Sequence, residues 1–378
     1  MLTVSHPTVN GYVRALLQGL DESGQLQEFH TTIAVGRRAV KIAGSKVRQH
    51  PYREAVRLLG RRFRQEWLIR HESGWASVDA VAQAFDLQVA KRLGETAGVY
   101  CYEDSALATL QAATQRGLKR YYELPILYWQ TVQILLRQEA DRYPEWEPTL
   151  LATRDSNAKL ERKTAELQLA DLVLCPSRQV QESLPPGTPS LIAEYGCPEP
   201  VNDRPIRDNS RLKLLFVGSM TQRKGLADLF GAMKQLNRPD VELIVLGTPI
   251  VPLEFYRRAY PGFVYEPVRP YAEVRRLMLA CDVLVLPSIV EGRAMVQMEA
   301  LSCGLPIVVT PNTGAEDLVE QQRTGFLVPI RAPEKLAETL GWIADHKEWV
   351  TDVRPAALEK ARQSGWGRYR DKILAAIV

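Results

Sequence analysis

A chain of 378 residues is long enough for two ordinary domains, each burying its own core. With 46% apolar and 24% charged residues it has the balance of a soluble globular protein, and no run of 18 apolar residues exists to span a bilayer. The net charge of +4 is mild, and Cys101, Cys175, Cys197, Cys281 and Cys303 lack the short paired spacings of a metal site or disulfide framework. They read as reduced core thiols of a cytoplasmic protein.

The opening MLTVSHPTVNG has neither the basic stretch nor the long apolar core of a secretory signal, and reads as a strand entering a loop. A helix over Tyr12 to Leu20 and a strand near Thr31 to Val35 follow. Between Gly36 and Arg70 stand eleven Lys or Arg residues against Glu54 and Glu66. Val56, Leu59, Phe63 and Trp67 share one helical face there, with Arg53, Arg57, Arg61 and Arg64 on another. The plainer reading is a solvated helix whose apolar side packs on the first domain. The alternative is that residues 37–70 sit peripherally on anionic lipid, at the inner face of a membrane, or steer a phosphorylated ligand. One basic helix without a recognisable module does not imply nucleic acid.

Next come GVYCYEDS, a strand running into Glu103 and Asp104, and a helix over Ala106 to Arg116. LKRYYELP is a strand carrying Glu123 and stopped by Pro125, and the helix in KLERKTAELQLAD leads into the buried strand of LVLCPSR. Glu103, Asp104 and Glu123 are candidates to accept from the hydroxyls of a ligand; helix N-terminal acids favoured by the macrodipole are the alternative. His6 reads as a strand-end residue rather than a base. Alternation of strands and helices implies a mainly parallel sheet over residues 1–195. Residues 196–211, GCPEPVNDRPIRDNSR, have three prolines and no periodicity and form the expected linker.

The second domain, residues 212–360, restarts with LKLLFVGSMTQRKGLADLFGAM. Gly218 to Gly225 lie between a buried strand and a helix, where glycines let backbone approach an anion and Arg223 and Lys224 add charge. The most informative stretch is VLVLPSIVEGRAMVQMEALSCGLPIVVT, residues 283–310. Strand, helix and strand form one βαβ unit, with Glu291 and Glu299 eight residues apart. Eight helical residues rise roughly 12 Å in little more than two turns, so both carboxylates can face one groove and accept from a polyhydroxyl ligand. Residues 361–378 end in WGRYRDKILAAI, an amphipathic helix able to cross back onto the first domain.

Residues 291–299 resemble the E-x7-E signature of the family 4 retaining glycosyltransferases, and GSMTQRKG resembles their glycine loop with its Lys-Gly element. The resemblance covers Leu212 to Leu340 well and the first domain only in layout. It implies the α/β GT-B fold, two Rossmann-like doubly wound domains facing a central cleft. It implies transfer of a sugar from a nucleotide diphosphosugar to a hydroxyl acceptor, with retention. Glu291 would meet the donor sugar, Glu299 the ribose, and Lys224 with Arg223 the diphosphate; Ser219 stands where the family commonly has an Arg. Gly218, Gly225, Gly292, Arg293, Ala294, Met295 and Thr310 complete the expected donor side, with Val268 beginning the segment that reads the base. Glu103, Asp104 and Glu123 would then hold an acceptor hydroxyl or the sugar, joined on that side by Asn10 and Gly11 in the loop after the first strand. No DxD sequence occurs, so protein cations replace a metal in this reading and no cofactor is expected. The rival readings are another GT-B chemistry, such as a sugar-nucleotide epimerase or a phosphorylase, and a catalytically silent GT-B subunit that only binds a sugar nucleotide, sugar or a partner.

Overall fold

The computed structural model describes residues 1–201 and 211–377, except for the Arg37 side chain. Residues 202–210, most of the expected linker, and Val378 lie outside it. Short apolar runs can be buried on both faces only if helices cover both sides of the sheet they form. Each half of the chain does this. In the first lobe β1 (Leu2–Ser5), β2 (Leu26–Thr31), β3 (Val47–Gln49), β4 (Gly98–Tyr102), β5 (Lys119–Glu123), β6 (Leu172–Cys175) and β7 (Ser190–Ile192) pair in parallel, in the order β3-β2-β1-β4-β5-β6-β7. Its helices are α1 (Gly11–Glu22), α2 (Tyr52–Arg62), α3 (Glu66–Ile69), α4 (Val78–Lys91), α5 (Leu107–Gln115), α6 (Trp129–Arg142), α7 (Asn157–Leu169) and α8 (Arg178–Glu182).

The second lobe repeats the scheme with β8 (Leu212–Val217), β9 (Val241–Leu246), β10 (Phe263–Glu266), β11 (Val283–Leu286), β12 (Ile307–Val309) and β13 (Gly325–Leu327), ordered β10-β9-β8-β11-β12-β13. Its helices are α9 (Leu226–Leu236), α10 (Leu253–Ala259), α11 (Tyr271–Leu279), α12 (Met295–Ser302), α13 (Pro333–Asp345), α14 (Lys347–Asp352), α15 (Arg354–Gln363) and α16 (Trp366–Ile377). Strand order reverses between β1 and β4 in one lobe and between β8 and β11 in the other. Chains leave such neighbours in opposite directions, and the crevice that opens at their carboxyl ends is where ligands of open α/β sheets sit. It is flanked by His6–Gly11 after β1, Gly218–Gly225 after β8, and Pro287–Ala294 after β11.

Several local expectations need correction. The second strand spans Leu26–Thr31 rather than Thr31–Val35, because Leu26 and Phe29 point into the core while Thr32 leaves the sheet to donate its hydroxyl to Pro7 O at 2.6 Å. The basic segment is not one continuous helix packed on the lobe. It breaks after Arg62, Arg64 is left-handed at φ 52°, and Leu59, Phe63 and Trp67 are exposed. The described start of the expected linker is pinned: Cys197 N donates to Ser364 O at 2.7 Å and Val201 N to Ser302 O at 2.7 Å.

The lobes are bound together by apolar and polar contacts. Helix α16 lies against α1, with Leu374 and Arg370 packed over Gly19, and Tyr121 Oη donates to Ile377 O at 3.4 Å. Trp146, just after α6, inserts from the first lobe between Phe230, Phe255 and Tyr256 of the second. Glu123, expected on the acceptor side, is instead interior. Its carboxylate is 1% exposed and accepts from Tyr100 Oη at 3.0 Å and Tyr195 Oη at 2.7 Å. Burial raises its pKa from 4.5 to about 7 against the pull of these two hydroxyls.

A carboxyl whose pKa is raised on folding stabilises the fold below its unfolded value and loses that contribution as pH rises to its folded value. The Glu123→Gln variant is therefore expected to lose part of the fall in stability between pH 4.5 and 7. A shift of that size corresponds to about 3 kcal/mol at 1.36 kcal/mol per unit. Denaturant titrations at pH 5 and pH 8 measure it; equal slopes for both proteins would assign the pH dependence elsewhere.

Candidate active site

The turn after β8 is built around its glycines. Gly218 is at φ 151°, and a Cβ there would lie 2.6 Å from Lys224 Cδ, so the missing side chain is the space the lysine occupies. Residues Gln222–Lys224 form one 3₁₀ turn, closed by Gly225 in the left-handed conformation at φ 72°. A Cβ on Gly225 would stand 1.9 Å from Pro287 O. The turn is thus pressed onto the end of β11. Backbone bonds fasten it: Ile289 N and Val290 N donate to Arg223 O at 2.9 and 3.2 Å, and Arg223 Nη1 donates back to Val290 O at 2.9 Å.

This contact places Lys224 Nζ 2.5 Å and Arg223 Nη1 3.1 Å from the same Glu291 oxygen. Lys224 and Glu291 side chains are only 11% and 12% exposed. Burial opposes ionisation of Glu291, but Arg223 and then Lys224 outweigh it and hold the carboxyl below its usual range. Burial is the largest influence on Lys224 and pushes its ammonium down; Glu291 opposes it and Arg223 adds to it. Two cations therefore face one anion, leaving one positive charge in excess where water is scarce. An incoming diphosphate is the kind of group that would balance it.

Glu299 lies on α12, in the surroundings of Arg275 and Tyr271, and is half-buried. Burial raises its pKa to about 7, with Arg275 opposing. The spacing of the two glutamates is not helical throughout, because α12 begins only at Met295. Glu291 stands in a loop that Gly292 anchors: a Cβ there would meet Pro125 O at 1.8 Å, and Gly292 O accepts from Ser177 Oγ at 2.7 Å. Ser219, Met295 and the exposed Val268 lie on the second lobe at strand ends or helix starts. Ala294 N donates to Thr313 O at 3.1 Å.

Other expected residues are spent on structure. The Arg293 guanidinium, 1% exposed, donates to Tyr195 O at 3.1 Å, Gly314 O at 2.8 Å and both Asp317 oxygens at 2.6 and 3.0 Å, which leaves no face for a ligand. Thr310 Oγ1 is buried and donates to Ser288 O at 2.5 Å. Glu103 pairs with Lys163 at 2.7 Å, and Asp104 with Lys163 at 3.1 Å and Arg162 at 3.3 Å. Asn10 caps α1, accepting from Val13 N at 3.1 Å. Gly11 faces both Trp366 and Met295: a Cβ would come 2.9 Å from the indole and 3.5 Å from Met295 Cε. His6 is fully buried against Tyr12 and Tyr102, and burial lowers its pKa to about 3, so it is neutral.

Sequence reading missed the residues that brace the cation cluster. Gln222, beside Arg223, donates to Glu139 at 2.6 Å and Asp228 at 2.8 Å, and its own N–H reaches Thr149 Oγ1 at 3.1 Å. Arg331 closes on Glu139 at 2.5 Å, and Arg142 on Asp228 at 2.8 Å. Glu139, Arg142 and Thr149 belong to the first lobe, so the cradle is held from across the cleft. No local pattern marks such partners. Among the described residues one grouping has metal-ligand character, His71 with Glu72 and Asp155. Lys159 already stands 3.0 Å from Asp155, which supplies a cation there.

Residues 211–346 match the family model described as glycosyl transferases group 1. Alpha-maltose-1-phosphate synthase of Mycolicibacterium smegmatis is 31% identical over 203 residues, 49% of this chain and 50% of that protein. The putative colanic acid biosynthesis glycosyltransferase WcaL of Escherichia coli is 29% identical over 170 residues, 40% of each chain. The chain thus spans half or less of the length of these curated relatives. Solved structures match over nearly the whole chain. Sucrose-phosphate synthase from Thermosynechococcus elongatus gives a TM-score of 0.69 at 16% identity, covering 99% of this chain and 97% of that one. WaaG, a glycosyltransferase involved in lipopolysaccharide biosynthesis, gives 0.64 at 14% identity, covering 100% of both. The fold is GT-B, as the sequence led us to expect.

The Gly225→Ala variant is expected to separate the turn from Pro287 and cost roughly 1–3 kcal/mol or more, from steric overlap and the left-handed backbone together. A denaturation midpoint equal to that of the unsubstituted protein would contradict the close approach.

Proposed function

We propose that this chain is a retaining, metal-independent glycosyltransferase of the hexosyltransferase type, moving a sugar from a nucleotide diphosphosugar to a hydroxyl acceptor. The observation that carries the reading is the buried Arg223–Lys224–Glu291 cluster at the point where strand order reverses. The family match over that lobe and the UDP and glucose bound by HepE of Anabaena, a structure with a TM-score of 0.66 and 14% identity, support it.

In this mechanism the acceptor oxygen bonds to the anomeric carbon on the face the diphosphate leaves. The carbon–oxygen bond to phosphate breaks, and the acceptor proton passes to a departing phosphate oxygen. Negative charge grows on the diphosphate as this happens. Lys224 and Arg223, already fixed by backbone bonds, stabilise it without reorganising. Glu291 holds both cations in place before the donor arrives and turns its free lone pairs to the sugar hydroxyls. Glu299 accepts from the ribose hydroxyls, with the base over the segment from Val268 to Tyr271. The protein's own cations take the role a bridging metal would have, so the reaction is expected to survive chelation by EDTA.

Purified protein incubated with a panel of nucleotide sugars is expected to hydrolyse one of them slowly, and Lys224→Ala to reduce that rate by about 100–1,000-fold. A variant as active as the parent would end the assignment of Lys224, and failure to bind any donor would favour a silent sugar-binding subunit. Glu299 must be ionised to accept two hydroxyls. Nucleoside diphosphate affinity is therefore expected to rise with pH through about 7, and Glu299→Gln to remove that step while leaving the phosphate's own titration. Calorimetric titrations between pH 6 and 8 distinguish the two proteins.

A further inference from the structure

We infer that residues Tyr52 to Trp75 form a surface that docks on an anionic lipid bilayer. Helix α2 is turned inside out relative to an ordinary surface helix. Its lobe-facing side carries Glu54, 3% exposed and clamped by Arg38 at 2.9 Å and Arg57 at 2.7 Å. Of its apolar stripe at helical spacing, Tyr52, Leu59 and Phe63 point outward, Leu59 54% and Phe63 64% exposed, while Val56 is half-buried. The left-handed Arg64 then reverses the chain, so that Leu68 and Ile69 of α3 fold against Gly60 and Trp67 is left 66% exposed. From Arg61 to Trp67 every residue is exposed, and three arginines interleave with the two aromatic rings. Among the described residues Arg61, Arg62, Arg64 and Arg70 form no ion pair. Trp75 lies edge-on to Tyr52 at 5.8 Å, under the Arg53 guanidinium.

Large apolar side chains grouped in water are unfavourable, and soluble proteins keep such patches for interactions. The cations decide among occupants. A second copy would bring six arginines, with Glu54, Glu66 and Glu72, against the same set. A nucleic-acid duplex would take the arginines but leave Leu59 and Phe63 without an apolar partner. An anionic bilayer satisfies both, with rings and leucines at the acyl boundary and guanidinium groups among the headgroups. The arm follows the carboxyl end of β3 and rests on α4 and α7, through Arg53 Nη1 to Ala80 O at 3.1 Å and Ser156 N to Glu72 at 2.9 Å. Docking would thus bring the cleft-facing end of the first lobe to the membrane.

Flotation with vesicles of phosphatidylcholine, alone or mixed with phosphatidylglycerol, tests this without any donor or acceptor, so it succeeds or fails separately from the catalytic reading. The full chain is expected to float with the mixed vesicles and not with phosphatidylcholine alone. Both Phe63→Glu/Trp67→Glu and Arg61→Glu/Arg62→Glu are expected to weaken binding by about tenfold or more, with unchanged thermal melts because these side chains are exposed. Three results would overturn the proposal: no flotation with mixed vesicles, flotation that neither variant weakens, or a dimer by light scattering that Phe63→Glu dissolves, which would mean a second copy covers the patch.

Discussion

Lys224 and Glu291 meet at 2.5 Å where neither is more than about an eighth exposed, and the surrounding architecture keeps that meeting in place. A buried ion pair of this kind is stable only if both partners are fixed and their remaining donors and acceptors are satisfied. The chain achieves this with backbone. Gly218 leaves room for the lysine stem, Gly225 lets the turn press on Pro287, and the Arg223 carbonyl accepts from two successive amides beyond β11. Glycine is required where it stands because the neighbour is main chain rather than a movable side chain.

The same constraint reaches across the cleft. Gln222 is bonded on both sides, to Asp228 of its own lobe and Glu139 of the other, and Trp146 plugs the adjoining aromatic cluster. Gly292 approaches Pro125 so closely that the Glu291 loop and the end of β5 are nearly one structure. Any motion that parts the lobes must disturb the groups next to the cations. The placement of the two lobes and the preorganisation of charge are therefore linked through a few short polar contacts.

The protein treats its ionisable groups in two ways. Glu123 in the interior is raised to about 7 by burial, with two tyrosine hydroxyls pulling it back, whereas Glu291 is held below its usual range by two cations at similar depth. Burial is the first influence on both; the charged neighbours decide the outcome. The arm from Tyr52 to Trp75 follows a third pattern, with Glu54 turned inward and Leu59 and the aromatic rings outward. Among the described residues no helix is long and apolar enough to cross a membrane.

Periodicity alone determined that each half is a parallel sheet wrapped in helices, because buried strands must be apolar throughout and helices must show a stripe. The glycine turn and the two glutamates eight residues apart are local signals too, and their resemblance to the E-x7-E and Lys-Gly signatures is what singled out Lys224, Glu291 and Glu299. What only the tertiary structure decided was which of the flanking polar residues remain available. Arg293, Thr310 and Glu123 have the right chemistry, yet Asp317, the Ser288 carbonyl and two tyrosine hydroxyls have taken them. Glu139 and Gln222, 83 positions apart, support the cluster from opposite lobes, and neither stands in a pattern that names the other. The orientation of α2 was equally hidden: an amphipathic stripe fixes that one face differs from the other, while only packing against Gly60 and Glu54 determines which face meets water.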